Sequence, residues 1–275
     1  GVIGIAQPGD RFGAAVALGD FDSDNRLDLA VGAPGEADGI ANNAGVVHVF
    51  YGVGLQLTTT GNQAFDQNFS VIDDDGDTEN GDEFGAALAA GDFDDDGFDD
   101  LAIASPGEAV PTTTNHCGID GICQNGGIVH VLFGSGSGLT TTGAQLLSKD
   151  DVGVAYEDNA RFGAVVTADD ENHDGQPELV VGMPGEGNAR GFLITFDWNG
   201  FRFVDPTSVG FTGSPGDDHY PSAATAGILG LGVSGRTAGG CADCDFGGTD
   251  AGAVEISNTA VLVQTDFGSA GAAAG

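Results

Sequence analysis

Lysine is almost missing from this sequence. Its 275 residues hold 42 Asp plus Glu against 7 Lys plus Arg, Lys149 is the single lysine, and the formal charge is -35. Recognition of a phosphate backbone or of an anionic membrane surface needs clustered positive charge, so both classes of partner are excluded. No apolar run approaches the ~18–20 residues of a spanning helix, which excludes a helical membrane span. The chain opens at Gly1 with neither an initiator Met nor a signal-peptide pattern, and reads as a processed product or an excised segment. Heptads are absent too, and Gly, Asp and Thr are too frequent for much helix.

What is abundant points the other way. There are 49 Gly and 17 Phe, and 40% of the residues are hydrophobic. That is enough apolar material for a core and argues against general disorder. Short apolar runs broken by Gly and Asp read as strands joined by tight turns. Composition therefore predicts an acidic all-β protein.

Three segments superpose without a gap over 25 residues: Phe12–Glu36, Phe84–Glu108 and Phe162–Glu186. Each starts with Phe-Gly, carries acidic residues eight and sixteen positions later, and ends in Pro-Gly-Glu. The starts lie 72 and 78 residues apart, a period that suits a propeller blade with insertions. In the first unit Phe12–Leu18 reads as a strand, an acidic loop follows, and Leu27–Val31 reads as the returning strand. Ala33-Pro34-Gly35 ends it, because Pro cannot donate to a ladder and Gly permits the turn. Third strands are predicted at 45–50, 127–132 and 191–196, and fourth strands around Phe69–Ile72 and Gln145–Ser148. Four strands per unit make one blade. The link between second and third strands holds 8, 18 and 4 residues in turn (Ala37–Ala44, Ala109–Gly126, Gly187–Arg190). Insertions recurring at one point of a repeat project from one face, where partner-specific surface is expected.

Phe12-Gly13, an Asp-rich loop and Gly32-Ala33-Pro34 in this order resemble the FG-GAP repeat. The second unit has Ala104-Ser105-Pro106 and the third Gly182-Met183-Pro184. The family occurs in the β-propeller of integrin α chains and in many secreted bacterial proteins, and the likeness covers roughly residues 1–205. It implies a propeller fold, calcium in the hairpin loops and an extracellular adhesion or interaction role; it says little about the partner.

The loops themselves carry the metal chemistry. They are Asp20-Phe-Asp22-Ser-Asp24-Asn-Arg26-Leu-Asp28, Asp92-Phe-Asp94-Asp-Asp96-Gly-Phe98-Asp-Asp100 and Asp170-Glu-Asn172-His-Asp174-Gly-Gln176-Pro-Glu178. Oxygen side chains recur at positions 1, 3, 5 and 9. Calcium takes six to eight hard oxygen ligands at about 2.3–2.6 Å, and alternate residues of a tight loop can supply them. Position 7 (Arg26, Phe98, Gln176) is predicted to offer its backbone carbonyl, so its side chain is unconstrained. Position 6 is Asn25, Gly97 or Gly175, residue types that tolerate a left-handed turn. Carboxylates converging within nine residues repel one another unless a cation lies among them. About three Ca²⁺ are expected, with a structural role in stiffening each hairpin and none in catalysis. The acidic stretch Asp73–Glu79 could hold a further cation, although solvated loop is the favoured reading.

Cys117 and Cys123 share the longest link, and small local disulfides Cys117–Cys123 and Cys241–Cys244 are the favoured pairings, cross-pairing being the alternative. His48 and His130 hold equivalent places in third strands, which predicts a shared packing environment. No GxSxG elbow or second CxxC is found, and no enzyme is expected. Asn68-Phe-Ser70 is a formal glycosylation acceptor, and the Thr58–Thr60, Thr112–Thr114 and Thr140–Thr142 runs suit solvated β surface or O-linked sugar.

One β-propeller-like domain over 1–267 is expected, with blades about 7–72, 73–150 and 151–205, a degenerate fourth over 206–267, and a Gly/Ala tail over 268–275. That is fewer blades than the seven of integrin-type rings. A compact four-bladed ring, a fragment of a longer propeller, and blades shared between chains all fit. Val2–Ile5 stands where a fourth strand of a preceding blade belongs, and an open strand must pair. It could complete the C-terminal blade in cis, in competition with Val261–Gln264, or a neighbouring subunit in trans. Two functions compete: a calcium-stabilised extracellular module that binds a protein or glycan, and a subunit that polymerises with copies of itself into a filament or sheath; a hydrolase using the propeller as scaffold is the third and lesser rival.

Overall fold

The Phe-Gly unit folds as a hairpin around its acidic loop. β1 (Ala15–Gly19) enters the loop and β2 (Asp28–Ala33) returns, in a register that pairs Ala15 with Gly32 and Gly19 with Asp28. β3 (Val46–Phe50) pairs with β2, a small hairpin of β4 (Gly52–Val53) and β5 (Gln56–Leu57) follows, and β6 (Gln63–Phe65) completes the antiparallel sheet on the far side of β3. The computed structural model describes residues 6–37, 41–69, 78–111, 122–152, 158–170, 172–184, 192–200, 203–210, 223–225, 237–241, 253–257 and 263–266.

The same order recurs three times. The second sheet is β7 (Ala87–Gly91), β8 (Asp100–Ser105), β11 (Ile128–Phe133) and β12 (Thr140–Leu147), and its long link carries a ribbon of β9 (Val110–Pro111) with β10 (Ile122–Cys123). The third is β13 (Val165–Asp169), β14 (Glu178–Met183), β15 (Phe192–Trp198) and β16 (Phe203–Gly210). The fourth is β17 (Ala223–Thr225), β18 (Thr237–Cys241), β19 (Ala253–Ser257) and β20 (Val263–Asp266). The degenerate fourth unit thus has four strands, and β20 fills the slot for which Val2–Ile5 was a rival. Residues 1–5 lie outside the described ones. The fourth strand of the first sheet lies earlier than Phe69–Ile72. Phe65, opposite Val47, takes the core position, whereas Phe69 ends a 3-10 turn over Gln67–Phe69.

First strands of consecutive sheets lie side by side: β1 against β7, β7 against β13, β13 against β17. The core lies in the seams between sheets. Ala17, Val47 and Val49 of the first sheet meet Phe84, Leu88 and Ile103 of the second. On its other face the second sheet sends Ala102, Val129 and Val131 against Phe162, Val181 and Phe196 of the third. Alternation along each strand therefore buries both faces of the inner sheets, which is why their strands read as nearly continuous apolar runs.

Backbone contacts repeat at each seam. The amides of Gly81, Glu83 and Phe84 donate to the carbonyls of Asn42, Asn43 and Ala44, and those of Asn159, Arg161 and Phe162 donate to Gln124, Asn125 and Gly126. Such closeness requires Gly45: its φ is 95°, and an added Cβ would stand 2.2 Å from the Phe84 carbonyl oxygen. The residues preceding the three Phe-Gly pairs also meet, with the Glu83 carboxylate 2.9 Å from Arg11 and 3.1 Å from Arg161. His48 and His130 do share one environment. Each is buried, with its ring centroid 5.5 Å from Phe12 or 5.6 Å from Phe84, and burial lowers the His130 pKa to about 4, so it is neutral at pH 7.

Two expectations are corrected. The sheets form an open array and not a closed propeller: among the described residues the fourth sheet does not close onto the first. The outward face of β1 is left uncovered, with Val16 59% and Leu18 58% exposed. Nor is a disulfide found between two described cysteines. Cys123 is buried and disulfide-bonded, but its partner lies outside the described residues, as do Cys117, Cys244 and the side chain of Cys241. The two local staples read from cysteine spacing are therefore not carried further.

Candidate metal centre

Each acidic loop is wired by its own carboxylates. Asp20 accepts from the amides of Asp24 at 2.9 Å and Asn25 at 2.8 Å. Asp92 accepts from Asp96 and Gly97, both at 3.0 Å, and Asp170 from Asp174 and Gly175, both at 3.1 Å. These bonds need two left-handed residues per loop. Position 6 supplies one, as its residue types predict: Asn25 (φ 64°), Gly97 (φ 91°) and Gly175 (φ 98°). Position 4 supplies the other through Ser23, Asp95 and His173 (φ 55°, 56° and 65°), a turn that the identity of those residues does not announce.

The loops gather carboxylates, though not always the same ones. Asp20, Asp22 and Asp28 have oxygens within 4.8 Å of one another, as do Asp92, Asp94 and Asp96, and Asp170, Asp174 and Glu178. Asp24 stands outside the first group because Arg26, at position 7, draws its carboxylate to 2.6 Å. Asn172 joins the third loop by donating to Glu178 Oε1 at 2.5 Å and accepting from the Asp174 amide at 2.8 Å. Phe98 and Gln176, also at position 7, donate their amides to Asp96 and Asp174 at 3.0 and 2.9 Å.

Position 9 anchors the loop to its sheet. Asp28 takes the Phe21 amide at 2.9 Å on one oxygen and the Gly52 amide at 2.8 Å on the other. Asp100 does the same with Phe93 and Gly134, both at 2.9 Å, and lies outside its loop's close group. Both side chains are buried, and desolvation pushes their carboxyl pKa up, to about 6 for Asp28 and about 8 for Asp100. Asp94 rises to about 6, first through desolvation and then through the charges of Asp96 and Asp92; Asp22 and Asp92 are raised as well, chiefly by burial.

These shifts describe sites in which negative charge is crowded. Asp94 Oδ1 is buried and has no hydrogen-bond partner, an arrangement that costs about 1–3 kcal/mol unless something else satisfies it. The donors are all hard oxygens; His173, the one nitrogen ligand at hand, has Nδ1 turned to the Asp170 carbonyl at 3.0 Å. The residues present therefore fit a hard divalent cation, and fit zinc or copper poorly.

Neighbouring loops also touch, which the motif does not announce. The Asp20 amide donates to Asp99 Oδ2 at 2.7 Å, and the Asp99 amide donates back to the Asp20 carbonyl at 3.1 Å. Gln176 Nε2 donates likewise to the Phe93 carbonyl of the loop before it. The only sequence signal for Asp99 is an extra acid at position 8, where the other loops have Leu27 and Pro177. Lys149 is fully buried, so the single lysine adds no positive charge to the surface.

Comparison with known proteins agrees with this architecture. FG-GAP repeats are present at residues 12–50 and 84–132. The chain is 31% identical over 196 residues to the bovine phosphatidylinositol-glycan-specific phospholipase D, a match spanning 70% of this chain and 21% of that protein. It is 32% identical over 192 residues to human integrin alpha-IIb (65% of this chain, 15% of that protein) and 28% identical over 190 residues to Drosophila melanogaster integrin alpha-PS2 (67% and 11%). The chain thus spans about a fifth or less of the length of these curated relatives, and it is related to the integrin α chains through its repeats.

Proposed function

We propose that this protein is an extracellular calcium-binding FG-GAP module with a structural, adhesive or protein-interaction role, and that it is not an enzyme. The observation that carries the reading is the threefold recurrence of three oxygen ligands within 4.8 Å, one of them with a buried oxygen lacking any partner. The first loop would hold its ion through Asp20, Asp22 and Asp28, with Asp24 joining once freed from Arg26. Asp92, Asp94 and Asp96 would serve the second, anchored by Asp100, and Asp170, Asn172, Asp174 and Glu178 the third. The backbone carbonyls of Arg26, Phe98 and Gln176 are the remaining donors proposed. Bound calcium supplies positive charge that lets these carboxylates ionise together, stiffening each hairpin at its tip.

The partner proposed is a protein or glycan met by the variable links on one face of the array. The phospholipase activity named for one group of relatives is not carried over, because the likeness covers a fifth of those proteins. Calorimetric unfolding in calcium and in chelator tests the metal. Saturation at about 100 times Kd should stabilise the folded chain by about 2.7 kcal/mol per site. An unchanged melting temperature on chelation sinks the calcium reading. Release of lipid-free anchor from glycosylphosphatidylinositol vesicles would sink the non-enzymatic one.

A second reading, self-assembly, draws support from the uncovered face of the first sheet. Phe12 is 54% exposed where its equivalents Phe84 and Phe162 are fully buried by the preceding sheet. A second copy of the chain, presenting its last blade, is the proposed cover. Light scattering coupled to size exclusion decides: a monomer at all concentrations in calcium excludes it.

A further inference from the structure

The acidic loops of the first two blades are bound to each other through main chain. Asp20, at position 1 of the first loop, gives its amide to Asp99 Oδ2 at 2.7 Å, and its carbonyl takes the Asp99 amide at 3.1 Å. The next carbonyl, that of Phe21, takes the Ser135 amide at 3.2 Å. On the second blade these two contact points are themselves tied together: Asp99 adjoins Asp100, whose Oδ1 accepts the Gly134 amide at 2.9 Å, and Gly134 adjoins Ser135. A closed circuit of hydrogen bonds and chain therefore joins positions 1 and 2 of the first loop to positions 8 and 9 of the second. Asp28 hangs on the same circuit, since its Oδ2 holds the Phe21 amide at 2.9 Å. Glycine permits the approach, because a Cβ on Gly134 would stand 2.5 Å from the Asp99 carbonyl oxygen.

The junction of the second and third loops is built differently. Pro177 holds the place of Asp99, and it has neither an amide donor nor a carboxylate with which to make the two Asp99 bonds. The Phe93 carbonyl, equivalent to that of Phe21, accepts from Nε2 of the Gln176 side chain. The same repeat thus carries one junction made through main chain and one made through a side chain.

We propose that Asp99 is a positioning residue for the first loop and makes the first two loops bind calcium cooperatively, an inference that rests on the calcium reading of those loops. Asp20 and Asp28 project from, or hold, backbone that residues 99–100 and 134–135 fix in place. Ordering the carboxylates of one loop against their mutual repulsion therefore orders part of the frame of the other, and the loss of conformational freedom is incurred once for both. Coupling of this kind is reciprocal and amounts to about 5–150-fold in affinity. The first and second loops should show it, and the second and third far less.

Equilibrium dialysis of the full chain against radioactive calcium tests the coupling, in about 0.15 M salt to screen the charges of one loop from the other. Asp94→Asn with Asp174→Asn leaves the first loop intact, Asp22→Asn with Asp174→Asn leaves the second, and Asp174→Asn alone leaves both. With both present, the second ion should bind about fivefold or more tightly than the single-loop affinities allow. Asp99→Pro, which copies the third loop, should abolish that excess. Asp99→Asn should keep it, because its side-chain oxygen still accepts from the Asp20 amide. Asp99→Ala removes the carboxylate, leaves the main chain unchanged and should lower the excess, so the test stands even where the proline variant does not fold. Asp22→Asn alone, which leaves the second and third loops, should show little excess. An isotherm equal to the sum of the two single-loop isotherms overturns the proposal, as does an excess that survives both Asp99→Pro and Asp99→Ala. Single-loop chains that bind no calcium give a different result: they overturn the loop reading itself, and the coupling with it.

Discussion

The first and second blades carry the same motif and meet different fates. Phe12 and Phe84 are equivalent, as are Val16 and Leu88, yet exposure falls from 54% to 0% and from 59% to 9%. What differs is the sheet on the near side. A Phe-Gly side chain thus becomes core only when a preceding blade is there to cover it, and a blade completes its core with its neighbour. Stability in such an array belongs to seams, as in other repeat architectures.

Mutation of equivalent residues breaks this contrast most directly. Phe84→Ala should cost about 3–5 kcal/mol in urea unfolding, because it empties a seam, whereas Phe12→Ala should cost about 1 kcal/mol or less. Equal losses would mean that Phe12 is covered in solution. A finer version uses backbone. Gly13 and Gly85 both have left-handed φ, 88° and 81°, but an added Cβ meets nothing within 4 Å at Gly13 and Val47 Cγ2 at 2.7 Å at Gly85. Alanine should cost about 1 kcal/mol at either from backbone strain, and about 1–3 kcal/mol more at Gly85 alone.

The loops extend the comparison to pH. Asp28 in the first blade and Asp100 in the second occupy the same position, with pKa raised to about 6 and about 8. A raised folded pKa means that the neutral acid stabilises the fold. That stability is full below the unfolded value near 3.8 and is lost as pH rises through the folded one. In chelator the chain should therefore weaken from about pH 4 upward. Asp28→Asn should flatten the part ending near pH 6, and Asp100→Asn the part reaching pH 8. Calcium should abolish the decline by accepting the ionised form. The smallest effect is expected at the exposed Arg11–Glu83–Arg161 contact, where Glu83→Ala should change stability by less than about 1 kcal/mol and not at all in high salt.

Much of the array is legible in the residues. Phe-Gly, the alternating acids and Pro-Gly locate β1, β2, β7, β8, β13 and β14 to within a few residues, because hairpin registers are set locally. Membership of the acidic clusters is legible in type but not in every member: Asp24 is drawn away by Arg26, two positions on, and Asp100 spends both oxygens on backbone amides. The fourth strand of the first blade was harder, since Phe65 and Phe69 are equally apolar and only the pairing of Phe65 with Val47 fixes the strand. Least legible are contacts between blades. Asp99 reaches a loop 79 residues away, and Gln67 meets Glu108 across 41, so neither pairing leaves a local pattern.

The backbone bonds from 81–84 to 42–44, repeated from 159–162 to 124–126, have a consequence for how such a chain can grow. At the two described seams the preceding blade offers the same row of carbonyls, and the following blade meets it with the same row of backbone amides. Blade number is then a matter of copying and not of redesign. A duplicated unit would bring both halves of that backbone row with it, so the array can lengthen without a new main-chain pattern.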